Sequence, residues 1–441
     1  MIRPTKIWRL GTALAMGAVL TLSACGSDSD SDSAGDSDNA SDSKECKVQE
    51  FPDVKGDGQF KVGTLLPQTG SLAFLGPPEF AAVDLAVKDM NDAGGVLGKP
   101  VAVQHSDSGD AQNPIASQSV DSLISANADV VLGAASSSVS LLVIDKITSA
   151  GMVEMSPANT SDEFSKYCDN GLYFRTAPPD TLQGRVLADT IIADGASRVG
   201  ILALQDAYGT GLADNVEKNV EASNGEIVKK IIYDPKAANY STEVSEVKGE
   251  DPDAIVLIGF DETKKIIPEM VKQGIGPAEK KIYLVDGNLS DFSDVFKPGT
   301  MGPNVKGSLP GVAATAELKK KLKTVPSGKN LKDWSYAAES YDGTVLMGLA
   351  AIAADSDAGP AIAKELVNVS RDGTKCTSFK ECKGMLEEGE DIDYDGYSGP
   401  VDFLPNGDPG SAYIGIYQYK PDGTYEFVKA SKGDISADDI K

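Results

Sequence analysis

Short runs rich in Val, Ile and Leu alternate with longer stretches whose apolar residues return every three or four positions, and from about Phe60 this alternation governs the chain. The runs are FKVGTLLP, PVAVQHSD, ADVVLGAA and GMVEMSPA. Between them lie EFAAVDLAVKDMNDAGG, QNPIASQSVDSLISAN and SSVSLLVIDKITSAG, two of which end near Gly. Strands of a parallel sheet are joined by long crossovers, usually helices, so this order predicts a parallel sheet covered by helices. The order then begins again. SRVGILALQD, GEIVKKIIYD, DAIVLIGF and KKIYLVDG read as strands, and GTGLADNVEKNVEASN, STEVSEVKGED and ETKKIIPEMVKQGIG as helices. The fold class is therefore α/β, with two doubly wound parallel-sheet lobes dividing near Arg175–Pro179. The halves share a pattern and no residue-level repeat. The helical stretch WSYAAESYDGTVLMGLAAIAA comes too late for the second sheet and is expected to return to the first lobe; a hairpin-like end, SGPVDFLPNGDPGSAYIGIYQYKPDGTYEFV, follows.

The first residues obey different rules. Arg3, Lys6 and Arg9 precede the apolar LGTALAMGAVLTL, and small residues close it, which is the pattern of an export signal over 1–24. Its ending, LSAC, resembles a bacterial lipobox, in which Cys25 becomes the lipid-modified first residue. The following GSDSDSDSAGDSDNASDSKE alternates Ser with Asp and has no core-forming residue, so 25–57 is expected to be a solvated, self-repelling tether. No other stretch is long and apolar enough to span a bilayer. The expected location is the outer face of the cytoplasmic membrane, reached by export and held by lipid. With 66 acidic against 41 basic residues the net charge is −25, which disfavours a nucleic-acid partner.

Four cysteines remain beyond Cys25, and an exported protein can oxidise them. They allow three pairings. Cys376–Cys382 is favoured as local in CTSFKEC, with Cys46–Cys168 tying the start of the module to its body. Zinc is the rival, but paired CxxC spacing is absent and His105 is the single histidine. DIDYDGYSGPVD, residues 391–402, nearly fits a calcium loop, yet Pro400 sits inside it and a strand pattern follows. No metal and no cofactor are expected.

Ligands of open α/β sheets bind beyond the carboxyl ends of the strands. Those ends carry PQTGSLAFLG, AASSSV and SPANTS in the first lobe and QDAYGTG, GFDET and DGNLSD in the second, all rich in small and polar residues. In GAASSSVSLL, Ser136, Ser137 and Ser138 stand at a helix start, where free N–H groups favour an anion. They serve equally as helix caps. A nucleophile would need a base, and neither His105 nor a G-x-S-x-G context supplies one.

VGTLLPQTGSLAFLG, AVKDMNDAGGVLGKPV, GAASSSVS, MSPANTS, LYFRTAPPD and DAYGTGLAD together resemble the leucine/isoleucine/valine-type periplasmic binding proteins, the extracytoplasmic receptors of ABC importers. The resemblance runs from about Phe60 to about Phe427. It implies lobes of 58–176 plus 307–414 and 177–306 plus 415–432, joined by three crossovers, that close over a small solute without transforming it. It implies that Ser136, with Ser137 beside it, grips an α-carboxylate; that the Ala158 carbonyl and Thr160 meet the ammonium or carboxylate, with Asn159 in the same shell; and that Tyr208 reaches across from the second lobe. Phe260 falls where relatives carry an aromatic. Asp286 falls where leucine-binding relatives set an acid against the ligand ammonium, a buried carboxylate needing a donor partner. Phe74 and Leu75 would line the side-chain pocket. The implied protein is a monomeric, non-enzymatic receptor for an amino acid, partnered by an ABC permease. Receptors for urea, amides or aromatic acids, and sensory modules of the same fold, remain alternatives, as does, less favoured, an exported enzyme.

Overall fold

The computed structural model describes residue 46, residues 49–51 and residues 54–435; the leader, Cys25 and the Ser/Asp run to residue 45 lie outside the described residues. The first lobe opens with β1 (Lys61–Leu66), α1 (Gly76–Asp92), β2 (Ala102–Asp107), α2 (Ile115–Ser125), β3 (Val130–Gly133), α3 (Ser137–Ser149), β4 (Val153–Ser156) and β5 (Tyr173–Arg175). Its sheet is all parallel, in the order β2-β1-β3-β4-β5. β3 and β4 are buried along their whole length, as expected of strands covered on both faces.

The second lobe follows with α4 (Asp180–Ala193), β6 (Arg198–Leu204), α5 (Ala207–Ala222), β7 (Glu226–Tyr233), α6 (Ser241–Gly249), β8 (Ala254–Ile258), α7 (Thr263–Gln273), β9 (Lys281–Leu284) and β10 (Val305–Pro310). The chain then returns to the first lobe through α8 (Ala316–Leu322), α9 (Ala337–Ala353), α10 (Gly359–Leu366), β11 (Thr374–Cys376), α11 (Phe379–Glu387) and β12 (Ile392–Tyr394). It ends in the second with β13 (Ser411–Tyr419) and β14 (Tyr425–Asp434). The second sheet runs β14-β13-β10-β9-β8-β6-β7, and its last two strands are antiparallel. Its parallel core therefore carries a hairpin edge, which the repeated strand–helix pattern could not show.

α9 packs into the first core through Tyr341, Val345 and Leu349, beside Met90 of α1 and Met155 of β4. Its near-continuous apolar sequence matches burial on all sides. The boundaries 307 and 414 are corrected. Residues 307–310 belong to β10, bonded to β9 and β13, so the crossover follows Pro310. Residues 411–414 start β13, and β14 runs to Asp434. Backbone pairing decides lobe membership here, and no break in hydropathy marks it. β5, three residues long, and β10, carrying Gly307 and Pro310, are strands the apolar-run criterion passes over.

Cys46 and Cys168 are joined, Sγ–Sγ 2.02 Å, as are Cys376 and Cys382, 2.12 Å. In the calcium-like segment, Asp393 and Asp395 both pair with the Lys375 ammonium, at 2.8 and 3.0 Å, so a lysine of the neighbouring strand β11 occupies the place of a cation.

Candidate functional site: a closed cleft between the lobes

Each sheet reverses its winding once, between β1 and β3 and between β6 and β8. Such switch points leave a crevice beyond the strand ends. Here the two crevices face each other. They border a small, narrow recess, to which Ser136, Ser137, Ala158 and Thr160 contribute from the first lobe, and Tyr208, Phe260 and Asp286 from the second. Leu72, Leu75, Ala135, Gly287 and Tyr336 also line it.

On the first lobe, β3 ends at Gly133, whose φ of +125° and collision course between any Cβ and the Leu65 carbonyl admit only glycine. That close passage brings the α3 N-terminus into the cleft. Ser136 is the N-cap, its Oγ accepting from Val139 N at 3.4 Å. The cap uses an oxygen lone pair and leaves the O–H free to donate. Ser137 is engaged inward, its Oγ accepting from the N–H groups of Thr160 and Ser161, both at 3.3 Å. Thr160 lines the recess while its N–H is occupied. Asn159 does not line the cavity. It is fully buried, donates to the Ala134 and Ala135 carbonyls at 3.0 Å each, and accepts from the Tyr173 hydroxyl. Its amide braces the loop that carries Ser136. Phe74 is also displaced from the expected wall: half-buried, it packs on the second-lobe core, and Leu72 takes its place.

On the second lobe, Asp286 sits just beyond β9 and is 6% exposed. Its Oδ1 accepts from Gln183 Nε2 and from the Tyr208 hydroxyl, both at 2.8 Å, and its Oδ2 from the Tyr336 hydroxyl at 2.8 Å. Burial pushes the Asp286 carboxyl upward, and the three donors oppose that. Burial and the Asp286 charge push both tyrosines well above their usual value, so their hydroxyls remain donors. Tyr208 stacks on Phe260, ring centroids 5.7 Å apart and nearly coplanar in orientation at 4°. Nothing in the sequence pattern points to Gln183 or Tyr336. Gln183 lies on the buried face of α4, which also carries Asp180 and Thr190, and Tyr336 precedes α9 in a left-handed turn, φ 58°.

The lobes touch. Ser138 Oγ donates to Asp206 Oδ2 and accepts from Ala207 N, both at 3.2 Å, joining the N-termini of α3 and α5 across the cleft. Burial raises the Asp206 carboxyl to about 6. A polar vestibule adjoins the cavity, sharing Leu72, Ser136 and Phe260 and adding Ser71, Asp110 and Gln112. His105 lies elsewhere, bonded to Thr64 and Asp84.

Two lobes crossed three times by the chain, with facing switch points around one small cavity, define a bilobal solute-binding protein. A profile of the family described as "Periplasmic binding protein" matches residues 59–424, and the chain belongs to that family. A "Chemotactic signal transduction system substrate-binding protein BasB" of Halobacterium salinarum is 25% identical over 369 residues, 80% of this chain and 85% of the relative. A "Leu/Ile/Val-binding protein homolog 1" of Brucella suis is 26% identical over 386 residues, 83% and 93% of the two chains. The fold is similar to that of the branched-chain amino acid transporter substrate binding protein LivJ of Streptococcus pneumoniae in complex with isoleucine. The TM-score is 0.69 at 22% identity, covering 86% of this chain and all of that one. Family membership implies an exported protein. No helix among the described residues is long and apolar enough to cross a membrane.

Proposed function

We propose that the cleft captures a small zwitterion, an amino acid with an apolar side chain, and that the loaded, closed protein hands it unchanged to an ABC permease. One observation carries the reading: a single small cavity has the free-donor end of α3, with Ser136, on one wall and the buried Asp286 carboxylate on the other. These are the complements of a carboxylate and an ammonium. Leu72, Leu75 and Phe260 supply an apolar wall for a side chain. The Leu/Ile/Val-binding name of the Brucella relative agrees with this class of ligand. Ser137 and Asn159 act as supports of the donor wall in this scheme. The protein is monomeric and not an enzyme, and lipid on Cys25 holds it outside the cytoplasmic membrane, with 25–57 as a tether. The name of the Halobacterium relative favours a second reading, in which the same closure reports to a signalling partner.

The test is a melting-shift screen of amino acids, amides and organic acids. An aliphatic amino acid at a hundred times its Kd is expected to stabilise the protein by about 2.7 kcal/mol. Larger shifts with carboxylate-free solutes, and none with amino acids, would overturn the zwitterion. Recovering the bound solute chemically altered would overturn the non-enzymatic reading. Co-purification with a permease, as against a signalling protein, separates the two roles.

A further inference from the structure

A second, larger groove lies on the other side of Tyr336. It is bounded by the crossover after β10, the loop that enters α9 and the β13–β14 hairpin, and holds about 1160 Å³ of empty volume open to solvent. Its walls include Trp334, Tyr417, Tyr425 and Phe427. At its inner end stands Glu339, only 3% exposed. Glu339 Oε1 has no hydrogen-bond partner. That oxygen points at the crossover: a Cβ on Gly311, which holds φ +89° between groove-lining Pro310 and Val312, would collide with it. Behind it lies Glu79 of α1, fully buried, with both carboxyl oxygens equally unpartnered. A buried acceptor without a donor is costly, and an aromatic-walled recess favours cations.

We propose that this groove is a second binding site, taking an organic cation that carries N–H donors on an apolar stem, such as a primary alkylammonium. The unpartnered oxygen calls for a donor, which a quaternary ammonium lacks. Among the described residues no group of three or more ligating side chains could hold a metal, so a bare ion has no cage here. The charged groups around Glu339 fit. Glu79 on α1, Asp342 on α9 and Asp333 on the entering loop are acidic. Lys319, which lines the groove, and Lys323 both lie over the Trp334 ring, 5.5 and 5.7 Å from its centroid, so the indole is taken by the protein's own ammonium groups and Tyr417, Tyr425 and Phe427 are the aromatic walls left to a ligand. Lys332, at the mouth, faces Asp294 at 3.8 Å. Burial raises Glu339 to about 8, as expected of a carboxyl lacking its counter-charge.

Trp334 and Trp8 are the two indoles of the chain, and Trp8 lies in the 1–24 export signal, so in the protein that begins at Cys25, or in a full chain with a Trp8→Phe background, Trp334 fluorescence reports the groove. In either form n-butylammonium is titrated against tetramethylammonium and sodium, as chlorides at constant ionic strength. Saturable binding of n-butylammonium is expected, at least tenfold tighter than either control. Glu339→Gln should weaken it at least tenfold, and Asp286→Asn, which disarms the cleft, should leave it unchanged. Binding no tighter than tetramethylammonium, indifference to Glu339→Gln, or loss with Asp286→Asn each overturns the proposal. Should Glu339→Gln fail to fold, Tyr425→Leu on the hairpin edge carries the same test, with a tenfold loss expected and unchanged affinity decisive against it.

Discussion

Asp286 gathers donors from three separate elements, Gln183 on α4, Tyr208 on α5 and Tyr336 ahead of α9, and so reads the packing of the whole cleft. Asp286→Asn turns an acceptor into a group that must point an amide at one of those donors. Its expected effect on amino-acid affinity is a loss of about 1.5–3 kcal/mol, or ten- to hundredfold, by calorimetry; unchanged affinity would remove the ammonium from this wall. Ser136 allows a sharper separation, because it caps α3 and offers a hydroxyl at once. Ser136→Ala should lower stability by about 1 kcal/mol in urea and weaken a carboxylate ligand. Ser136→Asp should keep the cap, and so the stability, while its charge repels the carboxylate and abolishes binding. Equal binding by wild type and Ser136→Asp would mean that no carboxylate sits there. Residues such as Ser136, Thr160, Tyr208 and Asp286 could be singled out because each lies two to four residues past the end of a strand, Tyr208 in the first turn of α5, and strand ends are recognisable in the sequence. Tyr336 and Gln183 could not. They reach the cleft from a helix face and from a turn beyond a crossover, so their positions depend on how the lobes pack. Asn159 and Phe74 show the converse: the right segment can turn its side chain into the scaffold.

At the scale of elements, the first and third crossings are pinned together by Arg175, at the end of β5, and Asp408, just before β13. Both are buried, with Nε to Oδ1 at 2.6 Å. The guanidinium also donates to the carbonyls of Ser161, at 2.8 Å, and Asn159, at 3.3 Å, so the same fork that ties the crossings holds the loop carrying Ala158 and Thr160. Removing one member strands a buried charge. Asp408→Ala should therefore cost about 3–5 kcal/mol in chemical denaturation. Arg175→Lys should lower stability and ligand affinity together, because a single ammonium cannot replace the fork. An affinity unchanged in Arg175→Lys would show that the loop holds its shape without it. The disulfides act unequally for a different reason. Cys46–Cys168 closes 122 residues and Cys376–Cys382 only 6. Loop-closure entropy assigns them about 5 and about 2 kcal/mol, so Cys168→Ser should depress Tm well beyond Cys376→Ser. The strand–helix alternation made the lobes readable from the sequence. The antiparallel edge was half readable, because a hairpin can be recognised locally while the sheet it joins cannot.

Over the whole molecule, the acidic balance and the buried carboxyls push stability in one direction. Burial, chiefly, raises Asp169, Asp206 and Asp342 to about 6, Asp129 to about 7 and Glu339 to about 8. Glu79, Glu154 and Asp180 are also driven well upward. A carboxyl whose folded pKa exceeds its unfolded one binds its proton more tightly in the native state. Its contribution to stability is complete below the ordinary carboxylate range and is lost as pH rises through the folded value. For these groups that window runs from about 4 to about 8. Self-repulsion in a chain of net charge −25 grows over the same interval and adds to the loss. Exposed and half-exposed acids held low, among them Asp84, Asp107 and Asp253, contribute the opposite sign only below about pH 4. The urea midpoint is therefore expected to fall from pH 5 to pH 8.5, without change in m-value if the transition stays two-state. Glu339→Gln removes the carboxyl raised to about 8 and should flatten the last part of that fall, between pH 7 and 8.5, while leaving the slope near pH 6 intact. A midpoint that rises with pH, or a wild-type slope retained above pH 7 in Glu339→Gln, would show that water or a bound cation already satisfies these carboxylates in the native protein.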